Sequence, residues 1–377
     1  MNARPGGVGM RLAVTEEQEE LRSTLRRFFT GKSPSGEVRR LMATAEGYDP
    51  ALWEQMAGQL GLPGLAIPER YGGAGFGLRE LVVVLEEMGR ALVCAPFLST
   101  AVLAAHALLA SDDEEAMRKL LPGLAEGATI ATLAFAEDGG RWDADGIAMT
   151  ADQGHRLDGV TSFVLDGHVA DLVLVLARAP GGLSLYAVDG DAPGLTRTLL
   201  PTLDQTRRLA RLEFAGTPAR PVGRQGAGAR ILARTLDVAA VALAAEQLGG
   251  AQRVLEMSVE YAKVRHQFGR PIGAFQAIKH KCADMLMEVE SARSAVLYAA
   301  TAADEDPAEL PVVAALAKAY VSDAFFHAAA ETVQIHGGIG FTWEHDAHLY
   351  LKRAKSSQLL FGDPAHHRER VAQMIGL

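Results

Sequence analysis

The sequence predicts an α+β protein of three domains: an N-terminal helical domain over residues 1–128, a middle antiparallel β domain over 129–225 and a C-terminal four-helix bundle over 226–377. Three observations predict it. The apolar period is helical from Thr15 to about Gly127, moves towards two from Thr129 to about Val222, and is helical again from Ala229 onward. The short runs of the middle third follow one another with no helical segment between them, which disfavours a Rossmann sheet. A late segment carries an unbroken seam at Ile278, Cys282, Met285, Val289, Ala292, Val296 and Ala299. Alternating steps of four and three belong in a helix bundle.

The elements follow in order. Thr15-Glu16-Glu17-Gln18 is a capping box, and Leu21, Leu25, Phe28 and Phe29 supply the stripe of the helix behind it. Pro50 sits in the first turn of a second helix that stops at Leu60-Gly61. A turn-rich loop over 64–75 precedes a helix from Leu78 to Leu92. Ile130–Phe135, Val160–Leu165, Leu172–Ala177, Leu183–Val188 and Arg211–Phe214 read as strands, separated by Asp/Gly/Pro clusters. Leu248, Ala251, Leu255, Ser258 and Ala262 mark one face of a long helix. Pro311 opens another, and Gly337-Gly338-Ile339-Gly340 ends it.

Composition narrows the function. Of 377 residues, 37 Lys+Arg stand against 46 Asp+Glu, a formal charge of -9, which lacks the basic face of a general nucleic-acid binder. Cys94 and Cys282 are too few for a disulfide framework or a Cys-rich zinc site and suit reduced thiols in the cytoplasm. No apolar run reaches about 18 residues, so no membrane span is expected. The N-terminus lacks the apolar core of a signal peptide, and Met10 reads as an alternative start behind a disordered leader. His345 and His348, with His336, His366 and His367, match no His-Glu-x-x-His helix, so no metal is expected.

Two segments carry the chemistry. Tyr261–Ile272 ends a long helix at a Gly/Pro break, where Arg265 beside exposed backbone amides suits a phosphate or reads as an ordinary charged helix end. In Val333–Thr342, the glycines permit close backbone approach, and Gln334 offers both a donor and an acceptor. Together with the loop Ile67–Gly75, and in this order, these segments resemble the acyl-CoA dehydrogenase family over nearly the whole chain.

The resemblance implies FAD at a subunit interface, an acyl-CoA or related acyl thioester as substrate, and α,β-dehydrogenation. It implies that Arg265 and Phe268 serve the pyrophosphate and ring system of a neighbour's cofactor. Gln276 lies near the adenosine portion, and Gln334 with the amides around Gly337 and Gly338 receives the pyrophosphate. It implies Ala136, Phe163 and Leu165 at the β-domain flavin contacts, and Asp237 and Leu243 on the substrate side, with Thr100–His106 lining the pocket. The assembly it implies is a homo-oligomer, or a heterotetramer with a second acyl-CoA dehydrogenase subunit.

The sequence departs from the family where the α-proton is taken. The base position near the C-terminus holds Phe361, and the alternative position, 22 residues before Tyr261, holds Ala239. The loop Ala136–Asp143 places Trp142 where a Ser contacts the thioester, and Leu165 has no hydroxyl for flavin N5. Glu246, seven residues beyond Ala239 and two turns along the same face, is the candidate displaced base. Its apolar neighbours would raise its pKa, and pairing with an Arg or His in the bundle is the competing role. Asp363 reads as a helix N-cap. Three readings follow: a dehydrogenase with a displaced base, a non-catalytic FAD-binding subunit whose partner supplies the base, or a scaffold repurposed for another reaction.

Overall fold

The hydroxyl of Thr15 accepts from the Gln18 amide at 3.3 Å and the Gln18 carboxamide accepts from the Thr15 amide at 3.1 Å, closing the capping box of α1 (Glu16–Lys32). The computed structural model describes residues 14–377, so the expected leader and the start at Met10 lie outside the described residues. After α1 come α2 (Ser35–Met42), α3 (Pro50–Gly58), α4 (Leu78–Arg90), α5 (Ala105–Ser111) and α6 (Glu114–Ala125). Helix α4 ends before the expected Leu92, which turns to a φ of +48°. A π-helical stretch, Leu98–Ala104, leads directly into α5. Nothing in the apolar pattern distinguishes it from an α-helix.

The middle domain has eight strands: β1 (Ala131–Ala134), β2 (Thr150–Ala151), β3 (Arg156–Leu165), β4 (Leu172–Ala179), β5 (Gly182–Asp189), β6 (Leu195–Leu199), β7 (Leu209–Pro218) and β8 (Arg220–Val222). They run in the order β6-β7-β3-β2-β4-β5-β8, with β1 on β4. The sheet is antiparallel except that β1 and β2 lie parallel to β4. Two anchors set the direction of β1. Thr100 both donates to and accepts from Ala131 at 3.1 Å, and the Asp171 carboxylate accepts from the Ile130 amide at 2.9 Å. Strands β2, β6 and β8 were not expected, because they are short and carry no buried alternation.

The C-terminal domain comprises α7 (Gly228–Val264), α8 (Gln276–Glu305), α9 (Leu310–His336), α10 (Ala347–Leu359) and α11 (Pro364–Met374). The α7 face Leu248 to Ala262 is buried as expected. The α8 seam is buried from Met285 to Ala299, with Ile278 and Cys282 half-covered. Helix α9 packs against α7, α8, α10 and α11. By length and composition the helical stretch Leu310–Phe341 would suit a membrane, but 67% of its most apolar window is buried inside the protein, as in a core helix.

Glycines fix how the N-terminal domain meets the bundle. A Cβ on Gly89 of α4 would lie 1.9 Å from the Glu246 carbonyl oxygen, and one on Gly249 of α7 would lie 1.8 Å from that of Glu86. Backbone approaches this close tolerate no side chain. Gly249→Ala forces the helices apart and is expected to cost about 1–3 kcal/mol, read as a lower denaturant midpoint at unchanged slope.

Candidate active site

Two regions and one buried charge cluster hold the residues singled out by sequence. The first region is the end of the bundle where α7 and α9 finish together. The ring of Tyr261, in the last turn of α7, stacks on His336 at the end of α9 with centroids 4.3 Å apart. Arg265 caps α7, and a two-residue hairpin (His266–Gln267 with Arg270–Pro271) then turns through Phe268, which has a φ of +54° and is 91% exposed. Gln276 begins α8, and Gln334, Gly337 and Gly338 follow one another on the surface of the α9 end. Among the described residues no hydrogen bond or ion pair engages the side chains of Arg265, Gln276 or Gln334.

This donor set fits the pyrophosphate and a planar ring of FAD. The ends of α7 and α9 present carbonyls, the negative end of the helix dipole, so an anion here requires the Arg265 guanidinium. The Gln276 and Gln334 carboxamides add neutral donors. Around Gly337 and Gly338 a Cβ would meet nothing within 4 Å, which leaves the backbone open to a ligand.

The second region is a cleft of 810 Å³ between the β domain and the α10–α11 turn, with walls that include Trp142, Phe163, Leu203, Lys355, Leu359 and Gly362. Phe163 sits at a bulge between Thr161 and Val164 in the β3–β7 ladder, with a φ of +58°. Trp142 is the hub of an aromatic wall. Its ring lies 5.9 Å from Phe135, 6.3 Å from Phe163 and 5.8 Å from Phe361, the last edge-on at 85°. Phe361 is 4% exposed and left-handed at φ +61°. Position 361 therefore holds an aromatic side chain locked against another. Ala136 is buried, and its carbonyl accepts from the Ser162 amide at 2.8 Å. The side chain of Leu165 is buried and lines a separate void of only 30 Å³, together with Asp166, Arg207, Glu246 and Arg353.

That void is the centre of the charge cluster, and it gives Glu246 the competing role, pairing with arginine, in place of the displaced base and its raised pKa. Arg207 donates to the Glu246 carboxylate at 2.6 Å, and Arg353 bonds the same oxygen. Arg353 also reaches Asp204 at 3.0 Å, while Arg207 donates to Ser357 at 2.9 Å. Burial by itself pushes the Glu246 carboxyl up, but the two guanidinium groups outweigh it and hold the group below its ordinary value. The expected upward shift was drawn from the apolar residues flanking Glu246 on α7. The deciding cations come from positions 39 and 107 residues away in sequence, which α7 does not reveal. A carboxylate held this way is a weak base.

The remaining candidates are structural in their surroundings. Asp237 accepts from Arg370 of α11 at 2.5 Å, Leu243 and Ala239 are wholly buried in α7, and Asp363 caps α11 by accepting from the His366 amide at 2.8 Å. Sequence reasoning missed Asp166. Its carboxyl is pushed up to about 6 by burial while Ser99 donates to it at 2.7 Å. No sequence signal marks it, because its partner Ser99 sits 67 positions earlier in the π-helical stretch Leu98–Ala104.

Comparison with known proteins accounts for this arrangement. The family description "Acyl-CoA dehydrogenase, N-terminal domain" matches residues 15–128, and "Acyl-CoA dehydrogenase, C-terminal domain" matches 226–376. Acyl-CoA dehydrogenase IpdE2 of Mycobacterium tuberculosis is 39% identical over 361 residues, covering 96% of this chain and 98% of its own. A variant of the Tcur3481–Tcur3483 steroid ACAD superposes with a TM-score of 0.87 at 36% identity, covering 96% and 98% of the two chains. A chain of the ChsE4–ChsE5 complex from Mycobacterium tuberculosis does so with 0.89 at 30% identity, covering 97% and 99%. With helices, sheet and bundle in the same order and both end domains matched, the chain belongs to the acyl-CoA dehydrogenase family, flavoprotein oxidoreductases that take an acyl thioester to its α,β-unsaturated form.

Proposed function

We propose that the chain is one subunit of an FAD-dependent acyl-CoA dehydrogenase assembly, to which it contributes a cofactor-holding surface while a related neighbouring subunit supplies the base. One observation carries this reading: Phe361 and Ala239, which the resemblance aligns with the two base positions, accept no proton, and both are buried. Glu246, the displaced candidate, is neutralised by Arg207 and Arg353. The void beside Leu165 measures only 30 Å³, too little for an acyl chain. Relatives named as the ChsE4–ChsE5 complex and as Tcur3481–Tcur3483 support an assembly of two different subunits. The free thiols Cys94 and Cys282 agree with a cytoplasmic setting.

FAD, when bound, supplies the acceptor for the β-hydride. Arg265 holds its pyrophosphate by charge-assisted hydrogen bonds, and Gln334 with the amides at Gly337 and Gly338 orients the same group. Phe268 covers an aromatic ring of the cofactor, and Gln276 bonds the adenosine portion. This surface faces outward, so it completes a neighbour's site and not the cleft at Trp142. Arg265→Ala removes the only cation of the set and should weaken FAD binding by about 1.5–3 kcal/mol, roughly 10- to 150-fold in Kd by fluorescence titration. Unchanged affinity would remove this helix end from the cofactor site.

A further inference from the structure

Lys318 lies in the middle of α9 and is wholly buried. Its ammonium donates to the Ser322 hydroxyl at 3.1 Å, to the Gln358 carbonyl at 3.3 Å and to the Gly362 carbonyl at 3.2 Å. All of its N–H donors are used. On the other side of the same turn, His367 Nε2 donates to the Phe361 carbonyl at 3.1 Å. Two buried side chains therefore take the carbonyls of residue 358 in the last turn of α10 and of residues 361 and 362 in the link to α11. Between these anchors Phe361 adopts a left-handed φ of +61°, which an aromatic residue avoids unless its surroundings impose it.

Among the described residues no carboxylate forms an ion pair with Lys318. Asp363 is engaged in capping α11, and Asp323 is paired with Arg368. Burial pushes the ammonium down to about 7. A methionine would fill this space without the desolvation penalty of a buried cation, so packing does not explain the residue. What it holds does.

We propose that Lys318 and His367 are positioning residues that clamp the 358–362 turn and hold Phe361 in its left-handed conformation against Trp142, closing the base position of this chain. The consequence for catalysis rests on the two-subunit reading above; the clamp itself does not. Closing the turn keeps an aromatic wall where a flexible loop would let solvent or a thioester enter.

Hydrogen exchange on the full chain tests it. Lys318→Met should accelerate exchange in peptides covering 358–363 by at least about tenfold, with α7 and α8 unchanged. With 5-fluorotryptophan incorporated, the fluorine resonance of Trp142, assigned by Trp142→Phe, should shift or broaden while those of Trp53 and Trp343 stay in place. In a Phe361→Gly background, where glycine adopts positive φ without strain, Lys318→Met should leave the turn's exchange within twofold of that background. Equal effects in both backgrounds, acceleration spread evenly along α9, or an unmoved Trp142 resonance would each overturn the proposal. If Lys318→Met does not fold, His367→Phe removes the second donor at similar volume and must give the same local acceleration, its absence counting against the clamp. None of these readings involves substrate, so a failed clamp is distinguishable from a failed two-subunit reading.

Discussion

Arg353→Met is expected to destabilise the protein by about 3–5 kcal/mol, because it leaves Glu246 and Asp204 buried with one cation fewer. The charges in this cluster come from α7, α10 and the segment between β6 and β7, so the variant loosens the joint between the β domain and the bundle. Its signature is a lower denaturant midpoint, read by circular dichroism, with the β domain losing structure first. The cluster also predicts a pH dependence. The Glu246 carboxyl is lower in the folded state than unfolded, so its contribution is fully present above the unfolded value near 4.5 and is lost as pH falls through the folded value. The parent should lose stability below about pH 4.5, and Glu246→Gln should flatten that part of the profile. A parallel acid limb in both proteins would mean that Glu246 is not held by its two arginines.

Returning a carboxylate to position 361 should do nothing by itself. In Phe361→Glu the new side chain meets the Trp142 indole, whose centroid lies 5.8 Å from the ring it replaces, and the aromatic wall stays closed. Combined with Trp142→Ser, the wall opens onto the 810 Å³ cleft, and a carboxylate gains both a substrate and solvent contact. The double variant should reduce its flavin with saturated acyl-CoA about 10²–10⁴-fold faster than the single one, the usual worth of a positioned general base. Equal rates for single and double variants would show that Trp142 does not gate the position.

Much of the fold was legible because it rests on local chemistry. The capping box at Thr15, the α8 seam and the Gly/Pro breaks around Phe268 and Gly337 each involve neighbours in sequence. So does the α11 cap at Asp363. The candidate cofactor residues Arg265, Gln276 and Gln334 stood out only through the family resemblance, and they lie at the ends of α7, α8 and α9. What escaped was non-local. Strands β2, β6 and β8 gain their pairing from partners and carry little pattern of their own. The parallel placement of β1 depends on Thr100 and Asp171. Arg207 and Arg353 look like ordinary surface cations until the fold buries them against Glu246. The departure at Phe361 was visible, but its meaning came only when Trp142, 219 positions earlier, proved to be packed against it.

On the proposed reading, this chain holds FAD for an acyl-CoA dehydrogenase assembly without supplying the base. Anaerobic stopped-flow absorbance of the purified, FAD-loaded chain alone, mixed with saturated acyl-CoAs of graded length, tests it most directly. The oxidised flavin band is expected to persist over the time in which a general base would bleach it, about 10²–10⁴ times faster than the uncatalysed background. Rapid bleaching by the isolated chain would contradict it, and would place a working base among this chain's own carboxylates.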